Sequence, residues 1–217
     1  MYNIKYMGKY KNESQILTGT LPTQAIKYNE PDNVTSAFLK GGLISLPIIV
    51  ILIALIIIKI QIENISFENI KGSNLYISTM IAIGLSIVFL FVHEFLHAFC
   101  FPQNVIKEIW FNQNELAMFV YCSAPISKKN FIWIVLCPNV VLGFIPYILW
   151  ILGVFDFNLL VSLAVIIFAM MNVICGIGDY LNFYLTIKQV PKNALVQNYE
   201  FHTYWFLEKQ CNVNLRQ

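Results

Sequence analysis

Four stretches of this chain are too long and too apolar to fold in water. They are Leu43 to Ile62, about Leu75 to Phe101, Phe131 to Leu152, and about Phe157 to Ile187. A helix rises about 1.5 Å per residue and the hydrocarbon core of a bilayer is about 30 Å thick, so about 20 apolar residues span it. A strand with open edges in lipid would leave its backbone groups unpaired, so each stretch is expected to be a helix. Composition agrees. Hydrophobic residues make up 58% of the 217 and charged residues 12%, against roughly 45–50% and about 25% in soluble domains.

The expected fold is an all-α integral membrane protein with four transmembrane helices. A segment over residues 1–42 precedes a membrane domain over 43–187, and a tail over 188–217 follows it. The polar stretch before Leu43 is not a signal peptide, so the first span is expected to stay in place. Lys59 and Gln61 close that span and can snorkel from its end.

Loop charge sets the orientation, because cytoplasmic loops collect Lys and Arg. Lys5, Lys9, Lys11, Lys27 and Lys40 precede the first span. Lys107, Lys128 and Lys129 lie between the second and third, and Lys188, Lys192, Lys209 and Arg216 follow the fourth. Lys59 and Lys71 fall on the other side. Both termini and the middle loop are therefore expected in the cytoplasm, and the protein in a bacterial cell membrane. A net charge of +2 with scattered basic residues argues against nucleic acid as a partner. Cys100, Cys122, Cys137, Cys175 and Cys211 form no CxxC and imply no disulfide framework, so they read as buried thiols.

The chemistry sits in the second span, in His93-Glu94-Phe95-Leu96-His97, an HExxH pattern. Residues four apart share a helix face, so two imidazoles can hold one Zn²⁺. Glu94 is offset and can act as general base on a water activated by the metal. Charged groups inside a membrane helix are costly and usually functional. A polar patch or proton relay is the plainer alternative.

A third ligand is expected at Asp179, the one acidic residue of the fourth span. Gly176 and Gly178 remove side chains around it and let that helix approach the second one closely. The second and fourth spans run in the same direction. His97 lies 10 residues before Lys107 and Asp179 lies 9 before Lys188, so the two sit at similar depth. Rival donors are His202 and Glu200, of which His202 reads as a surface histidine. Asn172 and Asn182, near Asp179, and Asn139, after Pro138, are candidates to support the ligands or to polarise a substrate carbonyl.

Between the second and third spans, Ile106 to Phe111 and Leu116 to Tyr121 are rich in strand formers, with Asn112 to Glu115 as a turn. A β-hairpin follows, whose free edge could take an extended substrate. The first 40 residues read as a cap with little regular structure.

The chain resembles a bacterial family of zincin-type membrane peptidases and, more remotely, the site-2-protease-type intramembrane metallopeptidases. HEFLHA at His93 to Ala98, Ser123-Ala124-Pro125, and GIGD at Gly176 to Asp179 carry the resemblance. It implies zinc held by His93, His97 and Asp179, with Glu94 as base. The Asp lies in a glycine pair here, where the remoter family has Asn-Pro-Asp-Gly. Expected partners are the bilayer and a membrane-associated protein or peptide that the enzyme hydrolyses. A non-catalytic metal-binding scaffold or regulator is the alternative. A transporter is the weakest reading, because four spans without an inverted repeat lack the usual architecture.

Overall fold

A computed structural model describes residues 3–63, 72–113 and 117–207. The chain divides into two compact units. One comprises Asn33–His93 and Pro138–Leu181, the other Met1–Asp32, Glu94–Cys137 and Asn182–Gln217.

The first unit is helical. Its longest element, α1 (Val34–Ile62), starts where the Asn33 side chain accepts the Ser36 amide at 2.8 Å. Next comes α2 (Gly72–Cys100), which runs past this unit into the other. A third helical stretch is α3 (Lys128–Pro138), of which residues up to Cys137 belong to the other unit, a π-helical segment Asn139–Phe144, and α4 (Ile145–Ile151). Then come α5 (Leu159–Cys175), capped by Asn158 on the Leu160 and Val161 amides, and α6 (Ile177–Gln189).

Among the described residues, α1, α2 and the stretch Lys128–Ile151 are each long and apolar enough to cross a membrane. The last two helices are bent 48° from one another and make a fourth span if counted together. The third and fourth expected spans are therefore each interrupted, one by a π segment and one by a bend. Many large apolar side chains on α1 and α2, such as Leu43, Ile51, Ile87 and Phe91, point outward. Such an outward apolar face is what a membrane-spanning helix presents.

Polar groups hold the helices at their turns. Lys59 does not snorkel; it is 6% exposed and turned inward. Its ammonium donates to the Trp150 carbonyl at 2.8 Å and pairs with Asp156 at 3.1 Å and Glu63 at 3.2 Å. Tyr147 donates to the Leu52 carbonyl at 2.7 Å, and Ser78 to the Leu160 carbonyl at 3.0 Å. Gly41 of α1 lies against the backbone of Ile177, where a Cβ would come within 2.6 Å of the carbonyl oxygen.

The other unit carries two sheets that go beyond the single expected hairpin. That hairpin is present: β3 (Lys107–Asn112) pairs antiparallel with β4 (Ala117–Tyr121) from Glu108↔Tyr121 to Asn112↔Ala117. Asn114 and Glu115 of the expected turn lie outside the described residues. The N-terminal segment is not irregular. Its β1 (Ile4–Tyr10) pairs in parallel with β3, through an irregularity at Gly8, whose φ of +86° suits glycine. One edge of the expected hairpin is thus taken, and β4 ends the sheet. The second sheet runs β2 (Ile26–Lys27), β7 (His202–Leu207), β6 (Ala194–Tyr199), β5 (Ile126–Ser127). The expected tail is therefore folded as far as Leu207. Cys211, Lys209 and Arg216 lie outside the described residues, as does Lys71.

Neither pairing partner is local, which is why sequence pattern missed both: β1 meets β3 across about a hundred residues, and β2 meets β7 across more. Lys107, read as a loop charge, is fully buried. Burial holds its ammonium below the ordinary lysine range.

Replacing Lys59 by Met keeps the apolar stem but removes the donor to the Trp150 carbonyl and the charge facing Asp156. Denaturation in mixed micelles is expected to show a loss of about 1–3 kcal/mol. Lys40→Met, at an exposed position, is expected to change nothing measurable, and equal stability of the two variants would contradict the inward role.

Candidate metal centre

The centre begins with the register of α2. His93, Glu94 and His97 bring ligand atoms within 4.8 Å of one another, a cluster that a helix makes from one turn of sequence.

His97 is oriented by a backbone carbonyl. Its Nδ1 lies 2.8 Å from the Ile134 oxygen. A carbonyl only accepts, so Nδ1 carries a proton and donates it, the arrangement in which Nε2 is the ring nitrogen that can ligate a metal. A ligating histidine usually donates its other N–H in this way.

His93 is met by the distant carboxylate. Its Nε2 lies 3.2 Å from Asp179 Oδ2, with both side chains largely buried. The helix of Asp179 thus approaches α2 as expected, although Lys107, one of the two lysines used to gauge depth, is buried. Asp179 sits in the first turn of α6, just after the bend that follows Gly176. The break places the carboxylate at a helix N-terminus, where the backbone dipole favours negative charge.

Asn139 takes up the same carboxylate oxygen. Its Nδ2 donates to Asp179 Oδ2 at 2.7 Å, and Asn139 itself is 1% exposed. The amide donor expected to polarise a substrate carbonyl is turned instead toward Asp179. Gly176 makes room for it. A Cβ there would fall within 2.7 Å of the Asn139 amide nitrogen and nearer still to its oxygen. The glycine pair therefore divides its work. Gly176 admits the third helical stretch rather than the second, and Gly178 has nothing within 4 Å of the Cβ it lacks.

The other sequence candidates are not gathered at this point. Asn172 lies on α5, before the bend, and not on one continuous helix with Asp179. Its amide donates to the Phe168 carbonyl of its own helix at 2.8 Å. Asn182 is exposed on α6, its carbonyl accepting the Thr186 hydroxyl at 2.7 Å. Among the rivals, His202 pairs with Glu30 at 3.5 Å, and Glu200 occupies the β6–β7 turn with φ of 53°. Sequence reasoning did not find the Ile134 carbonyl. Its only sequence signal is Pro138, four residues further along.

The donor set fits zinc. Zn–N and Zn–O bonds of about 2.0–2.1 Å in a tetrahedron separate two ligand atoms by about 3.3 Å. The His93–Asp179 separation of 3.2 Å is of that size. Among the described residues the ligand atoms that lie together are those of His93, Glu94 and His97, and Asp179 meets this group through His93; imidazole nitrogen with carboxylate oxygen is a donor chemistry that zinc accepts.

A family model described as "Putative zincin peptidase" matches residues 86–195, just over half of the chain and the whole span from before His93 to beyond Asp179. No curated protein and no solved structure matches the chain significantly.

Gly176→Ala is expected to push Asn139 off Asp179 and lower stability by about 1–3 kcal/mol, the usual cost of overpacking. Gly178→Ala is expected to be neutral or to gain about 0.5–1 kcal/mol from helix propensity. Thermal unfolding of the two purified variants checks this, and a harmless Gly176→Ala would contradict the packing.

Proposed function

The chain belongs to this zincin-type family, and from that premise we propose that it is a zinc-dependent membrane peptidase. His93, His97 and Asp179 are the ligands and Glu94 is the general base. The observation that carries this reading is the 3.2 Å approach of the Asp179 carboxylate to His93. An HExxH turn arises by chance in other proteins. A carboxylate from another helix, brought to its first histidine and fixed there by a buried amide, is a further requirement that such coincidences do not meet.

Bound zinc supplies Lewis acidity, polarising a substrate carbonyl and acidifying the attacking water. The chain does the rest. The Ile134 carbonyl holds the Nδ1–H of His97, so Nε2 is the nitrogen that would bind zinc. Asn139 donates to Asp179 Oδ2 and so helps fix the rotamer of that carboxylate. Glu94 takes the proton of the attacking water and delivers it to the leaving amine, one group serving as base and then acid.

The substrate class follows from the surroundings. The outward faces of α1 and α2 are apolar, and the His93-Glu94-His97 cluster lies on α2 itself. The natural substrates are membrane-associated proteins or peptides, cleaved at or just inside the cytoplasmic face.

Glu94→Gln is expected to keep zinc and to lower hydrolysis on the order of 10²–10⁴-fold. Comparing membrane proteomes of cells carrying wild type or Glu94→Gln tests catalysis and finds substrates together: proteins accumulating uncleaved in the variant are expected. Full complementation of a deletion by Glu94→Gln, with identical proteomes, would make the protein a metal-binding scaffold. Zinc stoichiometry is expected to fall in Asp179→Ala, and an unchanged value removes Asp179 from the ligand set.

A further inference from the structure

The Ile134 carbonyl that orients His97 is available for a reason written four residues later. In an α-helix each carbonyl accepts from the N–H four residues on. For Ile134 that residue is Pro138, which has no N–H. The proline ring also clashes with the carbonyl four residues back and tips it away from the helix axis. Pro138 sits inside a continuous helical run, at the junction of α3 with the π segment, and is fully buried. A helix-breaking residue buried mid-span needs its freed backbone group satisfied by a neighbour, since no water is at hand. His97 Nδ1 satisfies it, at 2.8 Å.

We propose that Pro138 is a positioning residue for the metal ligand His97: by withholding a backbone N–H it reserves the Ile134 carbonyl for that imidazole and so sets its tautomer. The inference rests on the zinc reading above and extends it to a residue that touches neither metal nor substrate.

The next residue gives the dipeptide a second task. Asn139 begins the π segment, a wider turn than α-helix, and its amide holds Asp179. Single π turns inside helices occur often at functional sites. Two successive residues thus serve two different ligands. Pro138 works through the backbone on His97, and Asn139 works through its side chain on Asp179.

The test is Pro138→Ala, measured on purified full-length protein by competition for zinc with a chelator of known affinity. Alanine restores the N–H and favours helix, so the variant is expected to be as stable as wild type or more so. Its zinc affinity is expected to fall about 10–100-fold, as when a histidine ligand loses its outer partner. In the metal-free protein, ¹⁵N spectra of histidine are expected to shift His97 from the Nδ1–H tautomer toward a mixture.

Lactic acid at position 138, which puts an ester where the amide was, lacks both ring and N–H. It is expected to restore zinc affinity to within about threefold of wild type, well inside the loss expected for a missing outer partner. Wild-type affinity and tautomer in Pro138→Ala overturn the proposal. So does equal loss in the alanine and ester variants, which would assign the effect to ring packing. If Pro138→Ala fails to fold, the ester variant decides alone: near-wild-type affinity supports the proposal and loss overturns it. His97→Ala serves as the control for the reading beneath. If that variant binds zinc as wild type does, the ligand assignment itself is wrong, whatever Pro138 does.

Discussion

A carboxylate in an apolar helix pair is stable only where donors meet it, and the meeting of Asp179 with Asn139 and His93 is the contact on which this site depends. Asp179 belongs to a segment otherwise suited to lipid. Left alone there, it would be neutralised or driven to the surface. One neutral amide and one imidazole face its Oδ2 at 2.7 and 3.2 Å. Gly176 lets the amide in, and the bend after it turns the carboxylate onto a helix N-terminus. The interruption of the fourth span and the presence of the acid are two sides of one arrangement.

The same logic explains why the third helical stretch is irregular. In a regular α-helix each carbonyl already accepts from an N–H of its own helix and offers a side chain only its second lone pair. By carrying Pro138 the chain gives up one internal bond, and a histidine of α2 supplies it. Backbone irregularity at membrane depth is tolerated where it is buried in protein, and here it is spent on orienting a ring.

The parts of this architecture that were legible in the sequence are those set by local rules. Apolar runs of about 20 residues announce helices, and HExxH places its ligands within one turn of any helix that contains it. The β3–β4 hairpin was legible because both strands and their connection are adjacent in sequence. The approach of Asp179 to the motif was legible because a lone acid in an apolar segment is conspicuous. What was not legible depends on residues far apart meeting. Examples are β1 beside β3, β2 beside β7, and the amide of Asn139 on Asp179. Lys59 and Lys107 were misplaced for the same reason. A lysine near a span end reads as snorkelling or solvated, yet both are buried, and nothing local to either predicts the groups that surround it. The bend at Gly176 was half visible. The glycine pair marked a close approach, while the partner it admits lies 37 residues upstream, at Asn139.

The central claim is that α2 and the bent fourth span jointly hold zinc through nitrogen and oxygen alone. Zinc K-edge X-ray absorption of the purified wild-type protein tests it most directly. The account predicts a first shell of nitrogen and oxygen at about 2.0–2.1 Å, with the multiple scattering of two imidazoles. A sulfur shell at about 2.3 Å, drawing on one of the cysteines, or the absence of imidazole scattering, would contradict it.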